Sequence, residues 1–263
     1  MRDEKVTRQA IIGSFITALK PLDYVLAMWE AGAAAFNRID AWSDMDLYVV
    51  VEDACVEKVV SEIEKTVRSI SEYDLTFRLP EPTWHGHSQV FYRLKKASPF
   101  LLLDIALMKK SSNNKFLQYT IHGVPIVHFD KNGIVKDDPV DAEAFLKTLK
   151  ERLEMLRTTF PMFLVFVLKE LNRGNDMTAL SFYMSYAMRP LIELLRMKYC
   201  PYHYNFHTYY IDYELPPEIV KRLSTLFFVA KPQEIRSSLR EVERWFMEEI
   251  ESINIEEVRK KLR

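Results

Sequence analysis

The sequence predicts an α+β protein in which a small mixed β-sheet occupies the first half and an all-α helical bundle the second half. Two observations predict this class. Short apolar segments of strand length occur in the first half, and helical periodicity continues almost without interruption through the second half. We place the boundary near residue 138, which gives a first domain over residues 1–138 and a second domain over residues 139–263.

The elements of the first domain follow from the spacing of its apolar residues. A first helix is predicted to end at Pro21, because the apolar residues before it recur at helical spacing. Residues 56–70 carry one continuous apolar stripe and predict an amphipathic helix. The apolar run that follows Asp44 predicts one strand, and the other predicted strands or extended segments span residues 24–29, 73–79, 89–94, 100–108 and 124–129.

The second domain is predicted to begin at Asp138, as the N-cap of a helix that has Pro139 at its first position. From there the helical pattern breaks at residues 172–175, near Pro201 and at residues 216–217. The second domain is therefore expected to contain several helices joined by short connections.

Composition limits the classes of function that fit the chain. Its 263 residues are 48% hydrophobic and 28% charged, as in a soluble globular protein. A formal net charge of -1 argues against broad binding of extended nucleic acid, which needs a basic surface. Only two cysteines occur, no secretory signal is recognised, and the longest uncharged apolar stretch, residues 160–168, is too short to span a membrane. These features predict a cytoplasmic protein without a membrane partner.

The most informative motif is a pair of carboxylates at the start of a strand. Asp44 and Asp46 are two residues apart before the apolar residues 47–51, so their side chains are expected on the same face. Two negative charges this close repel each other, and the usual reason to keep them is a divalent cation that lies between the carboxylates and a phosphate. The pair is therefore a candidate metal site.

A third carboxylate, Asp104, lies in the otherwise apolar segment 100–108. An unpaired charge in a buried strand costs on the order of several kcal/mol. Asp104 is thus either a salt-bridged or protonated core residue, or a partner of Asp44 and Asp46 on a neighbouring strand. In the second interpretation, the three carboxylates can hold two metal ions about 3.5 to 4 Å apart, as in phosphoryl or nucleotidyl transfer.

The residues before this strand resemble a known signature. Gly32 and the run Ser43-Asp44-Met45-Asp46 are similar to the motif of the nucleotidyltransferase superfamily with the polymerase-beta-like fold: Gly-Ser, a short spacer, a second Gly, then Ser-Asp-x-Asp at a hydrophobic strand. The two-domain organisation resembles the aminoglycoside and lincosamide nucleotidyltransferases. Ala33 replaces the Ser of the motif, and Asn37, which tolerates a positive φ, replaces its second Gly. Loss of the Ser hydroxyl is expected to weaken nucleotide binding by about 0.5 to 1.5 kcal/mol.

The resemblance implies a Mg²⁺-dependent nucleotidyltransferase. It implies transfer of a nucleoside monophosphate from a nucleoside triphosphate, with ATP as the expected nucleotide, to a hydroxyl of a small-molecule acceptor, with release of pyrophosphate. The residues implied for catalysis and metal binding are Asp44, Asp46 and Asp104, and those implied for nucleotide binding are Gly32, Ala33, Asn37, Arg38 and Ser43. It also allows a homodimer. The changes at Ala33 and Asn37 leave an alternative, a non-catalytic or weakly active nucleotide-binding regulatory protein.

Several secondary candidates keep two interpretations. The aromatic segment 199–213 is either an acceptor pocket or, as we favour, a packed loop between helices, and within it the resemblance makes His207 a candidate nucleotide contact. Arg38, in the turn before the acidic strand, is either a phosphate contact or a solvated surface residue. Arg189 is either a buried ion-pair partner or a pocket residue. Glu170 and Arg173 are either a charged helix end, which we favour, or a general base and a phosphate contact. The motif Trp84-His85-Gly86-His87 is interpreted as a polar loop, because no further metal ligands follow at a defined spacing.

Overall fold

A computed structural model describes residues 6–262 of the chain. The chain divides into two compact units between Pro139 and Val140. The first unit contains a six-stranded sheet and the second is helical, which confirms the predicted α+β class. Each unit has its own hydrophobic core.

The first unit contains both helices and strands. Its elements are α1 (Arg8–Leu19), β1 (Val25–Glu30), α2 (Gly32–Ala35), β2 (Met45–Val51), a 3-10 turn (Asp53–Cys55), α3 (Val56–Ile70), β3 (Tyr73–Arg78), β4 (Ser88–Leu94), β5 (Leu102–Lys109), α4 (Tyr119–His122) and β6 (Ile126–Asp130). The predicted amphipathic helix coincides with α3 at both ends, because its apolar stripe is continuous.

The strands form one mixed sheet in the order β3-β4-β5-β2-β1-β6. Strands β2 and β5 are parallel, and the other neighbouring strands are antiparallel. Apolar residues of α1 and α3 pack on one face of the sheet and form the main core of this unit. On the opposite face a smaller apolar cluster is built around Trp29, Ala106 and Leu117, and the candidate site described below lies on this second face.

The second unit consists of helices that enclose a core of apolar side chains. Its elements are α5 (Ala142–Arg173), α6 (Asp176–Phe182), a π-helical turn (Tyr183–Met188), α7 (Arg189–Tyr199), a 3-10 turn (Pro201–His203), α8 (Ile211–Glu214), α9 (Pro217–Phe227), α10 (Pro232–Ser252) and α11 (Ile255–Lys261). The predicted break at 172–175 is present, since Gly174 adopts a left-handed conformation and ends α5.

The predicted N-cap of α5 is wrong. The helix begins at Ala142, and its N-cap is Asp141, whose carboxylate accepts hydrogen bonds from the backbone N–H groups of Glu143 and Ala144. Asp138 contacts a loop of the first unit instead, because its backbone N–H donates to the Leu117 carbonyl and its carboxylate accepts from Gln118. Tertiary contacts therefore decide which of two nearby aspartates caps the helix.

An Asp141→Ala variant is expected to lose about 0.5 to 2 kcal/mol of unfolding free energy, because two N-terminal N–H groups of α5 lose their acceptor. Chemical denaturation measures this loss. Asp138→Ala is the matched control and should cost less, since its side chain makes one exposed hydrogen bond and caps no helix. An equal or larger loss for Asp138→Ala would contradict the assignment of the cap.

The aromatic segment 199–213 is a loop organised around one buried cation. The fully buried Arg196 side chain donates to the carbonyls of His203, His207 and Tyr209 and to the carboxylate of Glu214. These bonds satisfy a charge that would otherwise be costly to bury. Tyr199, Tyr202 and Tyr204 pack against the core of the helical unit, as the favoured interpretation expects, whereas Tyr209 and Tyr213 are exposed.

Within residues 6–262, no helix combines the length and the apolar character needed to cross a membrane.

Candidate active site

The register of the sheet brings Asp46 and Asp104 together. Strands β2 and β5 are parallel neighbours, and Asp46 lies directly opposite Asp104 in their pairing. Opposite residues of paired strands point to the same face, so both carboxylates lie on the face away from α1 and α3. Asp44 is exposed just before β2, two residues from Asp46, and its charge acts on both Asp46 and Asp104. The three predicted carboxylates thus belong to one edge of the β2–β5 pair.

Gly32 lies in contact with the Asp46 carboxylate. Gly32 has a φ of +55°, and a Cβ built on it would lie 1.8 Å from Asp46 Oδ2. The adjacent backbone is also joined, since the Ala31 N–H donates to the Asp46 carbonyl at 3.0 Å. The resemblance to the nucleotidyltransferase motif implied that Gly32 contacts the nucleotide. In the structure, the Asp46 carboxylate occupies the space that a Cβ atom at position 32 would fill.

The electrostatic environment of Asp46 disfavours its negative charge. Burial, together with the negative charges of Asp44 and Asp104, raises the pKa of Asp46 to about 7, and the positive charge of Arg8 opposes part of this shift. Burial also raises the pKa of Asp104, where a hydrogen bond from Gln89 opposes the shift and the charge of Asp44 adds to it. The cluster therefore carries negative charge that the surrounding protein balances only in part.

Gln89 holds the Asp104 carboxylate, and the sequence analysis missed this contact. Its Nε2 lies 2.6 Å from Oδ1 and 2.8 Å from Oδ2 of Asp104. Gln89 belongs to β4, where it pairs with Ala106 of β5. The sequence predicted a strand here, but the contact follows only from the pairing register.

A second missed group lies at the end of β1. Glu30 is 3% exposed, and its carboxylate pairs with Arg8 at 2.7 Å and lies 3.2 Å from His128 Nε2. Burial alone would raise the pKa of Glu30, but the hydrogen bond with His128 and the charge of Arg8 outweigh it and hold the pKa below its ordinary value. Arg8 Nη1 also donates to the Asp44 carbonyl at 2.7 Å. Arg8 thereby fixes the backbone that enters β2.

The residues predicted to bind nucleotide lie along the connection from β1 to β2. Ala33 is in α2, and its carbonyl accepts from the Arg38 N–H at 2.8 Å. Asn37 has a φ of +54°, as expected for the residue in place of the second Gly of the motif. The Arg38 guanidinium lies 4.9 Å from the centre of the Phe36 ring. Their contacts with a nucleotide remain a prediction.

Ser43, the fifth of these residues, holds a tight turn before β2. Its hydroxyl donates to Asp40 Oδ1 and accepts from the Asp40 N–H, both at 2.9 Å. The same carboxylate oxygen accepts from the Trp42 N–H. The hydroxyl is thus engaged within the turn, and its role toward a nucleotide also remains a prediction.

The donor set suits a hard divalent cation. Carboxylate oxygens are the ligands that Mg²⁺ prefers. After burial, the charges of Asp44 and Asp104 are the next largest causes of the raised pKa of Asp46, so a cation here would relieve repulsion between the carboxylates. Among residues 6–262, however, no group of three or more His, Cys, Asp or Glu side chains is already arranged as a metal site. Asp104 is held by Gln89, and Asp46 lies against Gly32, so each carboxylate is fixed by a protein contact. The chemistry of the donors is compatible with Mg²⁺, and the binding of an ion by these carboxylates remains a prediction.

Replacement of Asp46 by Asn is expected to stabilise the metal-free protein at alkaline pH. The folded-state pKa of Asp46, about 7, lies above the ordinary aspartate value of 3.8, so the folded state binds an extra proton between these two pH values. The free energy of unfolding therefore falls as the pH rises through this window, and the full loss, up to about 4 kcal/mol, is reached above pH 7.

Thermal melting in a chelator, from pH 4 to pH 8.5, measures this effect. Asp46→Asn should melt above the wild type at pH 8.5, and the difference should shrink toward pH 4, where the wild-type carboxyl is also neutral. A constant difference across the pH range would contradict the raised pKa of Asp46.

The residues of the helical unit that had two interpretations are resolved in different ways. Glu170 accepts from Arg173 and Asn175 at the end of α5, which agrees with the favoured interpretation as a charged helix end. Arg189 Nη2 lies 2.8 Å from His207 Nε2, and both residues line a cavity of about 740 Å³. Arg189 is therefore a pocket residue, and part of the aromatic segment also lines this cavity.

Comparison with known proteins found matches among solved structures but none among family models or curated sequences. No protein-family model and no curated protein sequence matches the chain. A nucleotidyltransferase-like protein from Exiguobacterium sibiricum 255-15 is 10% identical, with a TM-score of 0.37, over 90% of this chain and 75% of that chain. Spectinomycin adenyltransferase AAD(9) from Enterococcus faecialis, solved with ATP and spectinomycin, is 11% identical, with a TM-score of 0.32, over 97% of this chain and 99% of that chain.

Proposed function

We propose that the chain is a Mg²⁺-dependent nucleotidyltransferase, with its catalytic domain in the first unit and a helical domain from residue 139 onward. It would transfer a nucleoside monophosphate from a nucleoside triphosphate, with ATP as the expected nucleotide, to a hydroxyl of a small molecule. The observation that carries this proposal is the pairing of Asp46 with Asp104 across β2 and β5, with Asp44 two residues upstream of Asp46.

In the proposed reaction, the acceptor oxygen forms a bond to the α-phosphorus. The bond from that phosphorus to the bridging oxygen breaks, and pyrophosphate leaves with the bonding electrons. Divalent cations, when bound, would neutralise the triphosphate charge and stabilise the entering and leaving oxygens. Asp44 and Asp46 would hold the cations, and Asp104 would complete their ligands and accept the proton of the acceptor hydroxyl.

The surrounding residues would position these groups. Gly32 leaves the space that the Asp46 carboxylate occupies, and Arg8 fixes the backbone at Asp44. The turn formed by α2 would place backbone N–H groups near the phosphates. In such a site, most of the catalytic effect comes from orientation and charge neutralisation rather than from covalent participation of side chains.

Pyrophosphate release tests the proposal. The four ribonucleoside triphosphates are each incubated with Mg²⁺ and a panel of small hydroxylated acceptors, and Asp46→Asn serves as the inactive control. We expect release that depends on both the acceptor and Mg²⁺, and that the variant lacks.

Two negative results have different meanings. Absence of release together with Mg²⁺-dependent nucleotide binding would favour the regulatory nucleotide-binding protein that the changes at Ala33 and Asn37 allow. Equal release by the wild type and Asp46→Asn would contradict the proposed catalytic role of the carboxylate pair.

A further inference from the structure

A chain of hydrogen bonds ends on the Asp104 carboxylate. The His87 backbone N–H lies 3.1 Å from His85 Nδ1, and His85 Nε2 lies 3.0 Å from Gln89 Oε1. Gln89 Nε2 in turn lies 2.6 and 2.8 Å from the two oxygens of Asp104. The side chains of His85 and Gln89 therefore connect the backbone of the loop at residues 83–87 to the Asp104 carboxylate.

The donors and acceptors of this chain have a single consistent direction. A backbone N–H can only donate, so His85 Nδ1 accepts and the proton of the neutral ring lies on Nε2. The Thr83 hydroxyl, whose oxygen lies 3.3 Å from Nδ1, donates to the His87 carbonyl instead. That N–H donates to Gln89 Oε1, which leaves the amide N–H group facing a carboxylate that can only accept. Hydrogen bonds aligned in this way strengthen one another. His85 thereby sets the orientation of the Gln89 amide.

The sheet itself brings Gln89 to Asp104. Strands β4 and β5 are antiparallel, and Gln89 lies opposite Ala106, two residues from Asp104 on the same face. A long side chain reaches such a diagonal neighbour. Both residues are partly buried in paired strands, so the contact is held by backbone hydrogen bonds on both sides.

We propose that Gln89, oriented by His85, is a positioning residue for Asp104 in nucleotidyl transfer, an inference that rests on the proposed function. A carboxylate offers about four lone-pair sites. Gln89 uses one site on each oxygen of Asp104, and the remaining sites stay available to a cation or to the acceptor proton. When a residue that hydrogen-bonds to a metal ligand is replaced, metal affinity or activity typically falls by about 10- to 100-fold.

The affinity for Mn²⁺ in the presence of a non-hydrolysable ATP analogue, measured by electron paramagnetic resonance, tests this role. Gln89→Leu should weaken Mn²⁺ binding by about 10- to 100-fold, with little change in melting temperature. The matched control is Gln118→Leu, which removes a Gln–Asp hydrogen bond of the same kind, to Asp138, in the same unit. The control should bind Mn²⁺ as the wild type does.

Two variants at His85 separate positioning from a loss of structure. His85→Leu removes the partner of Gln89 without removing a group that contacts Asp104, and it should weaken Mn²⁺ binding in the same direction by a smaller factor. His85→Gln supplies another N–H donor and should recover part of that affinity. In pyrophosphate release, Gln89→Leu should lower kcat more than it raises the KM for the acceptor.

The outcomes distinguish this inference from the proposed function. If Asp46→Asn loses Mn²⁺ binding while Gln89→Leu and His85→Leu keep the wild-type affinity, the positioning role is wrong and the proposed function stands. If the wild type binds no Mn²⁺ with the nucleotide analogue, the proposed function is wrong, and the inference about Gln89 fails with it.

Discussion

An Asp46→Asn variant is expected to lose at least about 1000-fold in the rate of nucleotidyl transfer. The proposed reaction depends on several kcal/mol of charge stabilisation at the phosphates, and each 1.36 kcal/mol corresponds to a factor of ten. Asp46 is central to this cluster, since it lies opposite Asp104 and two residues from Asp44. The neutral amide has a similar size but lacks the charge that would bind a cation.

The rate of pyrophosphate release under single-turnover conditions measures this loss. Asp40→Asn is a suitable control, because Asp40 is exposed in the turn before β2 and lies outside the proposed metal ligands. It should retain most of the activity. The melting temperature of Asp46→Asn in a chelator is measured alongside the assay. If the variant is unfolded under the assay conditions, its loss of activity does not support a catalytic role for Asp46.

Gly32→Ala is the second change with a large expected effect. An added Cβ would lie 1.8 Å from Asp46 Oδ2, so the carboxylate has to leave its position. The positive φ of Gly32 adds strain of about 1 kcal/mol or more for a residue with a side chain. We expect a loss of about 1 to 3 kcal/mol in unfolding free energy and a loss of Mg²⁺-dependent nucleotide binding, measured by denaturation and calorimetry.

Gly133→Ala is the matched control for this change. Gly133 has a φ of +64°, similar to that of Gly32, but its added Cβ would meet nothing within 4 Å. Both variants should therefore show the backbone strain, and only Gly32→Ala should lose nucleotide binding. Wild-type binding by Gly32→Ala would show that the position of the Asp46 carboxylate is unimportant for the nucleotide.

Local patterns in the sequence predicted those parts of the fold that local physics determines. The stripe of apolar residues predicted α3 at both ends, because one face of that helix packs on the sheet. The acidic spacing predicted that Asp44 and Asp46 share a face, because strand side chains alternate. The apolar surroundings of Asp104 predicted a strand, and the structure pairs that strand with β2.

Features that depend on contacts between distant segments could not be predicted from the sequence. Gln89 reaches Asp104 only because of the register between β4 and β5, and this register leaves no local pattern. Arg8 and Glu30 pair across 22 positions of the chain. Asp138 and Asp141 are both suitable N-caps, and contacts with the loop at Gln118 decide between them. In each case, contacts between distant segments of the chain determine which residues interact, and the local sequence does not distinguish them from other residues.

The Mg²⁺ dependence of nucleotide binding tests the central claim most directly, since it requires no knowledge of the acceptor. Binding of a non-hydrolysable ATP analogue is measured by calorimetry with Mg²⁺ and with a chelator, for the wild type and for Asp104→Asn. We predict that the wild type binds the analogue more tightly with Mg²⁺ and that Asp104→Asn loses this dependence. Equal binding with and without Mg²⁺ in the wild type would contradict the assignment of Asp44, Asp46 and Asp104 as a metal site for a nucleotide.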